Sequence, residues 1–239
     1  MSLLTSSACY ETELSDFAEL RRQAVDDLRR EGILRDPEII RAMTKVPREE
    51  FLPPDMKPYA YRDSPLPIGW GQTTSALHMT AHFCEYGEMK LGQLVFEVGG
   101  GCGYMSCVYA EVVAPLDQAK ERWGHVWTAE IVPELAEFGR KNVERLEYAD
   151  RVTYLEADAS DGLKGVGPFD LIIVTSAAPE VPSGLVEQVK VGGMLLIPVG
   201  AQFYQELIRV RKNADGGYSH ENLGGVAFVP MKGKRGWQI

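Results

Sequence analysis

Three hydroxyls in a row, Thr73, Thr74 and Ser75, stand directly ahead of a helical pattern. Farther along, Glu97-Val98-Gly99-Gly100-Gly101-Cys102-Gly103-Tyr104 runs from an apolar strand into a glycine-rich turn. The first segment has the chemistry of a substrate site, because a hydroxyl donates a hydrogen bond to a carboxylate without quenching it as an ion-paired lysine would. The second has the chemistry of a nucleotide site: glycines at 99, 101 and 103 let the backbone turn tightly and approach a ligand with no Cβ in the way. Such spacing also occurs in dinucleotide enzymes and in plain tight turns. Glu130 closes the next strand, where a carboxylate accepts hydrogen bonds from both hydroxyls of a ribose. It can equally be a solvated acid at the start of a helix. Ser75 with Thr74 can simply cap the helix that follows. His78 and His82, spaced i, i+4 with Cys84 near by, imitate a metal site, but no partner cluster appears elsewhere and no metal is expected.

The elements that must position these residues follow from the periodicity. SDFAELRRQAVDDLRREG puts Phe17, Leu20, Ala24 and Leu28 on one stripe of a helix capped near Ser15 and ended by Gly32. A second helix starts at Asp36-Pro37, where a missing N–H costs nothing, and stops at Val46-Pro47. Residues 48–71, rich in proline and aromatic side chains, read as an ordered loop, and 74–89 as a third helix. The apolar runs 94–98, 125–129, 152–156, 170–175 and 194–199 fit strands buried on both faces, separated by helices over 105–113, 133–146 and 183–189. That alternation predicts an α/β fold: a doubly wound, mostly parallel sheet with right-handed crossovers. At the tail, QELIRVRK, a polar turn NADGGYSHEN and GGVAFVP predict a hairpin that closes the sheet with an antiparallel edge.

The chain has 239 residues, 45% hydrophobic and 25% charged, enough for one large domain with small appendages. We divide it into residues 1–90, helices and a substrate loop packed on the core, and residues 91–239, the nucleotide-binding core. A net charge of −9 argues against capture of nucleic acid, which needs Lys and Arg to neutralise phosphates. No apolar run is long enough to span a membrane, and MSLLTSSACYE lacks the basic and apolar regions of a secretory leader. Cys9, Cys84, Cys102 and Cys107 show no CxxC spacing, which suits reduced thiols in a cytoplasmic protein.

PLPIGWGQTTSALHM (65–79) resembles the signature P-L-P-I-G-x-G-Q-T-I-S of protein-L-isoaspartate O-methyltransferases. AMTKVPREEFLP, VFEVGGGCGY, PFDLIIVTSAAPEVP, GGMLLIPVG and VAFVPMKGKRGW follow that family's order from about Ala42 onward. The resemblance implies a class I methyltransferase fold with an N-terminal helical extension, S-adenosyl-L-methionine as cofactor and isoaspartyl peptides or proteins as substrate, in a monomer or small homo-oligomer. It implies that Ser75 is the catalytic hydroxyl. Gln72, Thr73, Thr74, His78, Glu97, Gly99, Gly101, Gly103, Glu130, Asp158 and Ala159 then bind the cofactor, with Asp158 and the Ala159 N–H meeting the adenine and Asp161 a competing carboxylate. The loop 59–71 and VAFVP are expected to grip an extended peptide by its backbone.

Four residues depart from the family pattern: Gly100 and Cys102 stand where threonine and serine are usual, Thr74 where isoleucine is, and Leu77 where proline is. The interval from Glu97 to Glu130 exceeds the usual twenty or so residues through an insertion, APLDQAKERWG. These departures leave open an acceptor other than isoaspartate, whether another carboxylate or a small metabolite, and a silent binding module. They also predict that Cys102 lies against the methionine end of the cofactor, where alkylation would inactivate and the cofactor would protect.

Overall fold

The computed structural model describes residues 6–201 and 204–237, with side chains from Phe17 onward. Residues 1–5 of the opening segment and the side chain of Cys9 lie outside the described residues. Six α-helices are α1 (Ser6–Arg30), α2 (Pro37–Lys45), α3 (Leu77–Tyr86), α4 (Tyr104–Val113), α5 (Pro133–Arg145) and α6 (Ser183–Glu187). Nine strands are β1 (Leu66–Gly69), β2 (Gln72–Thr74), β3 (Leu94–Val98), β4 (His125–Glu130), β5 (Val152–Glu156), β6 (Phe169–Val174), β7 (Val189–Ala201), β8 (Tyr204–Lys212) and β9 (Tyr218–Val226).

Seven strands form one sheet in the order β5-β4-β3-β6-β7-β8-β9. The first five run parallel and the last two are antiparallel, as the alternation of patterns predicts. The chain leaves β3 toward β4 and β5, then returns to lay β6 on the other side of β3. The carboxyl ends of β3 and β6 are therefore the switch point where a crevice opens. Side chains alternate across the sheet with period two. Val95, Val126, Leu171, Ile173 and Leu196 pack against the helices, and Phe96, Ile172, Val174, Leu195 and Ile197 join Leu185 and Met231 on the opposite face. Every residue of α4 is buried, because that helix is held between the sheet and α2.

The N-terminal helices share this core: Val25, Leu28, Ile39, Met43 and Phe51 belong to the same cluster as Val95, Val108 and Leu171. Polar contacts reinforce the join. Glu111 of α4, fully buried, receives Arg151 at 2.9 Å, Lys45 at 2.9 Å and Arg41 at 3.4 Å, tying α2 to β5 through one carboxylate.

Several boundaries differ from the sequence expectation. α1 already runs from Ser6, so Ser15 lies inside it rather than capping it. Its inward stripe is Val25 and Leu28, while Leu20 is 41% exposed, since only the C-terminal part of the helix meets the core. α2 agrees with the expectation: Asp36 caps it by accepting from the Glu38 and Ile39 N–H groups. The loop 48–71 contains β1, and the helix expected from Thr74 starts only at Leu77, because Thr73 and Thr74 pair with Pro67 and Leu66 in a hairpin. β7 is longer than MLLIPV, and β9 begins at Tyr218, immediately after a turn closed by Asn213 N–H donating to Gly217 O. That edge strand is polar and exposed, so it carries no apolar alternation to read, and VAFVP leaves the ladder after Val226. No helix among the described residues is long and apolar enough to cross a membrane.

Candidate active site

The glycine turn after β3 meets the end of β6 at the switch point. The Thr175 N–H donates to Val98 O, and its hydroxyl donates to Gly99 O at 2.6 Å. Gly99 has φ +99°, and a Cβ there would run into the Thr175 side chain. Gly101, at φ +55°, keeps the floor of a cleft open below Ile68. Gly100 faces the other way, into the protein. A Cβ on it would collide with the Thr128 hydroxyl and lie 2.8 Å from the Tyr154 hydroxyl, which donates to Gly101 O at 2.6 Å. The place of the side chain missing at 100 is thus filled by Tyr154 from β5.

The cleft, about 570 Å³, runs from this turn across the ends of β4 and β5 and includes Gln72, Thr73, Glu130, Asp158, Ala159, Ser160, Thr175 and Met231. Glu130 is only 6% exposed. One of its oxygens accepts from Gly101 N–H at 3.1 Å and the other from Val132 N–H at 3.0 Å, so the carboxylate is fixed by the turn and by the entry to α5. Each oxygen keeps lone pairs for a diol. Asp158 is held by the N–H groups of Ser160 and Lys234. Burial alone would raise its pKa, but those bonds outweigh it and hold the carboxyl below its ordinary range. Asp161 turns away from the cleft to Lys234 and Arg235 at 2.8 and 3.0 Å, which separates the two carboxylates that the sequence left in competition.

A smaller inner pocket of about 260 Å³ opens beside the turn, lined by Thr73, Thr74, Ser75, Glu97, Gly99, Cys102, Met105 and Thr175 among others. Glu97 is wholly buried on β3. Burial pushes its pKa up to about 7, against the opposing effect of hydroxyl donors on Ser106 and Thr128, with Glu130 adding a like charge. Both hydroxyls reach one oxygen, and the other, Oε1, has no partner among the described residues. An orphaned buried carboxylate oxygen at a pocket suits an ammonium group. The Cys102 thiol is 2% exposed and its pKa is raised by burial, against a hydrogen bond from the Tyr104 N–H, one with the Thr74 hydroxyl, and the nearby Arg48 charge. It lines the inner pocket, yet such a thiol is a poor target for alkylation, contrary to the sequence expectation.

On the other side of Thr73 and Thr175 lies a groove of about 1,120 Å³, walled by Pro65, Ser75, His78, Met79, Tyr204 and the chain from Gly225 to Val229. Ser75 does not cap α3. The N-cap is Ala76 with no side-chain bond, and the first turn is satisfied from outside by Asp63, which accepts from the His78 N–H at 2.9 Å. Asp63 also meets His78 Nδ1 at 2.9 Å, and this contact raises the imidazole pKa.

Seven expected cofactor residues, Gln72, Thr73, Gly99, Gly101, Glu130, Asp158 and Ala159, line the large cleft, while Thr74, Glu97 and the catalytic candidate Ser75 line the inner pocket. His78 stands in the groove instead of the cleft. Gly103 lies behind the turn against Val143 and Gly139, where its φ of +87° starts α4. Thr175, which the sequence reading placed only at the end of a strand, lies with Thr73 on all three cavities. Its place at the switch point was a usable signal. Asp63 and Met231 had none, since their partners are remote in sequence. Among the described residues no cluster of three or more His, Cys, Asp or Glu side chains could hold a metal, and His82 stacks on Tyr86 at 4.7 Å.

Comparison with known proteins agrees with this geometry. The family model for protein-L-isoaspartate(D-aspartate) O-methyltransferase matches residues 19–236. A protein-L-isoaspartate O-methyltransferase of Hyperthermus butylicus is 50% identical over 222 residues, 93% of this chain and 92% of its own. One from Staphylothermus marinus is 47% identical over 224 residues, 94% and 99% of the two chains. Among solved structures, a Plasmodium falciparum protein assigned to the same activity, in complex with S-adenosyl-L-homocysteine, superposes with a TM-score of 0.75 at 26% identity, over 87% of this chain and 96% of its own. Another protein-L-isoaspartate O-methyltransferase reaches 0.79 at 29% identity, covering 90% of this chain and 67% of its own. With the glycine turn, the acid at the end of β4 and the hydroxyl groove all in place, the chain belongs to the protein-L-isoaspartate O-methyltransferase family.

Proposed function

We propose that the protein transfers a methyl group from S-adenosyl-L-methionine to the side-chain carboxylate of L-isoaspartyl residues in proteins or peptides. The observation that carries this reading is the meeting of a cleft, an inner pocket and a groove at Thr73 and Thr175, with Ser75 at the edge of the last two. The cleft and the inner pocket beside it fit the cofactor: in the cleft Glu130 would hold a diol and Asp158 with the Ala159 backbone a base, and in the inner pocket the unpartnered oxygen of Glu97 would hold an ammonium. When bound, the cofactor supplies a methyl group on a positively charged sulfur.

An acceptor carboxylate is already ionised near neutral pH, so the protein has little acid–base work to do. What remains is alignment, which alone can supply roughly 7–11 kcal/mol. Ser75 donates a hydrogen bond that holds one carboxylate oxygen without quenching the other. Thr175 does not compete, because its hydroxyl is committed to Val98 O and Gly99 O. Pro65, Met79, Val226 and Phe228 give the groove apolar walls that exclude water. The main chain from Gly225 to Val229 offers a grip that ignores side-chain identity, as a repair enzyme requires. The resulting ester is a good leaving group, so the adjacent amide nitrogen closes a succinimide without further help, and hydrolysis returns some normal aspartate.

The four departures from the family pattern favour isoaspartate over another acceptor. Thr74 and Leu77 are buried, Gly100 packs on Tyr154, and Cys102 is buried beside Thr74. None of the four lines the groove. The test is transfer of labelled methyl to a short isoaspartyl peptide beside the same peptide with normal aspartate. Base-labile label on the first alone is expected; label on neither, with the cofactor still bound, would overturn the reading.

A further inference from the structure

Arg48 is wholly buried, yet two of its three guanidinium nitrogens, Nε and Nη1, have no hydrogen-bond partner among the described residues. The third, Nη2, donates to the carbonyl of Ser75 at 2.7 Å and reaches Ser64 O at 3.5 Å. Among the described residues no carboxylate forms an ion pair with it, and Asp63 acts on it only at longer range. The adjacent Glu49 is taken by Arg21 at 2.8 Å and by the Tyr61 hydroxyl, and Asp63 is taken by His78. The remaining neighbours are the Tyr104 ring, whose centroid is 5.5 Å from the guanidinium carbon, and the Cys102 thiol. A buried cation so poorly partnered is costly, and structural needs alone would be met better by an apolar side chain of similar size.

We infer that Arg48 is a positioning residue for methyl transfer, a fixed positive charge behind Ser75 that orients the Ser75 segment and draws the acceptor carboxylate toward it. This rests on the reading of Ser75 as the acceptor-side hydroxyl. Ser75 lies between β2 and α3 with no ladder or helix bond of its own, so its direction depends on what grips its backbone. Arg48 grips the carbonyl from one side, and Asp63 fixes the next turn through the His78 N–H. A serine tilted by about 1 Å would lose on the order of 100-fold in rate. The charge has a second consequence. An isoaspartyl carboxylate that enters the apolar groove leaves water, and a cation across a thin layer of protein offsets that loss without an ion pair that would blunt the nucleophile. Groups facing Arg48 are Tyr61 and Asp63 from the loop, Tyr104 from α4 and Cys102 from the turn. Of these, Asp63 carries the negative charge, and it is held by His78.

The experiment compares wild type with Arg48→Lys and Arg48→Met. It reads turnover and KM for an isoaspartyl peptide, S-adenosyl-L-homocysteine affinity, and binding of a fluorescent isoaspartyl peptide to the S-adenosyl-L-homocysteine complex. Arg48→Met is expected to weaken peptide binding and raise KM roughly 10-fold or more, with S-adenosyl-L-homocysteine affinity held within about 2-fold. Arg48→Lys, which keeps the charge but not the planar donor, is expected to restore peptide binding while turnover stays low. Wild-type peptide binding and turnover in Arg48→Met would overturn the inference, as would a loss in both variants that follows S-adenosyl-L-homocysteine affinity alone. If Arg48→Met does not fold, Arg48→Lys decides by the same split between binding and turnover. Ser75→Ala, run in parallel, separates the two readings: unchanged turnover there sinks the role of Ser75, whereas wild-type peptide binding and turnover in Arg48→Met sinks only that of Arg48.

Discussion

The cofactor cleft and the acceptor groove meet at two threonines, yet they are built by different means. The cleft rests on the carboxyl ends of parallel strands. Its working groups, the glycine turn, Glu130 and Asp158, sit at element ends and are fixed largely by nearby main-chain N–H groups. The groove is assembled from a loop before the sheet, the start of α3 and the chain that follows the last strand. Its pieces are far apart in sequence and are held by side chains: Arg48 on Ser75 O, Asp63 on α3, and Arg21 on Glu49 and Tyr61. Backbone-anchored geometry tolerates change in side chains behind it, whereas a site gripped by buried side chains depends on each of them. Three of the four family departures, Thr74, Gly100 and Cys102, line the inner pocket, and none of the four lines the groove.

The sharpest way to test that contrast is Ser75→Ala, because its hydroxyl makes no cap and no contact that the fold needs. Turnover should fall by roughly 10²–10³-fold, the loss seen when one oriented donor is removed from a reacting centre, while melting temperature and cofactor affinity stay near wild type. A loss of folding would mean that the groove depends on this hydroxyl structurally.

Glu97→Gln probes the inner pocket beside the cleft through the unpartnered buried oxygen of that carboxylate. Cofactor binding should weaken roughly 10- to 100-fold, as for a lost hydrogen bond to a charged group. The same residue gives a pH signature. Its folded pKa, pushed to about 7, lies above the ordinary 4.5. The native state therefore holds a proton that the unfolded chain has released, and stability falls as pH rises from about 4.5 to about 7, by on the order of 3 kcal/mol. Melts of the cofactor-free protein across that window should show the decline in wild type and lose it in Glu97→Gln. Parallel curves would mean that Glu97 is ionised in the fold.

Gly100→Thr, which restores the usual family residue, should destabilise this chain by about 1–3 kcal/mol, the range for overpacking, because Tyr154 and Thr128 occupy the space. Adding Tyr154→Phe removes the hydroxyl in the way and should recover part of the loss. Strict additivity of the two substitutions would break the account of why glycine stands there. The smallest effect is expected at Cys102: iodoacetamide should leave it unmodified in the native protein, since the thiol is buried and its pKa raised. Rapid modification protected by the cofactor would mean that the thiol is reachable beside the methionine end of the cofactor, as the sequence reading expected.

Much of the cleft was legible beforehand. Short apolar runs that fit strands buried on both faces, separated by helical segments, leave few alternatives to a parallel sheet, and in such a sheet the turn after the first strand and the acid closing the second have predictable places. The insertion of residues 114–124 lengthened the interval to Glu130 without disturbing this. Trp123 and Gly124 return the chain to Val113 and Gln118, at the opposite end of the strands. Less legible were the elements whose form depends on partners. Thr74 looked like the start of a helix, and only pairing with Leu66 makes it the end of a strand. The edge strand β9 was misplaced because its residues face water and need no apolar pattern.

By itself the sequence determined the class of fold, the nucleotide cleft and the hydroxyl-bearing segment, because glycine, strand-end acids and hydroxyls act through local backbone geometry that travels with the chain. Only the tertiary structure decided the rest. His78 belongs to the groove, Asp161 to the C-terminal strap, and Tyr154 to the space beside Gly100. The charge of Arg48 comes to lie behind Ser75. Each of these is a meeting of residues separated by 15 positions or more along the chain, and no local pattern encodes which of many such pairs the packing of the core will bring together.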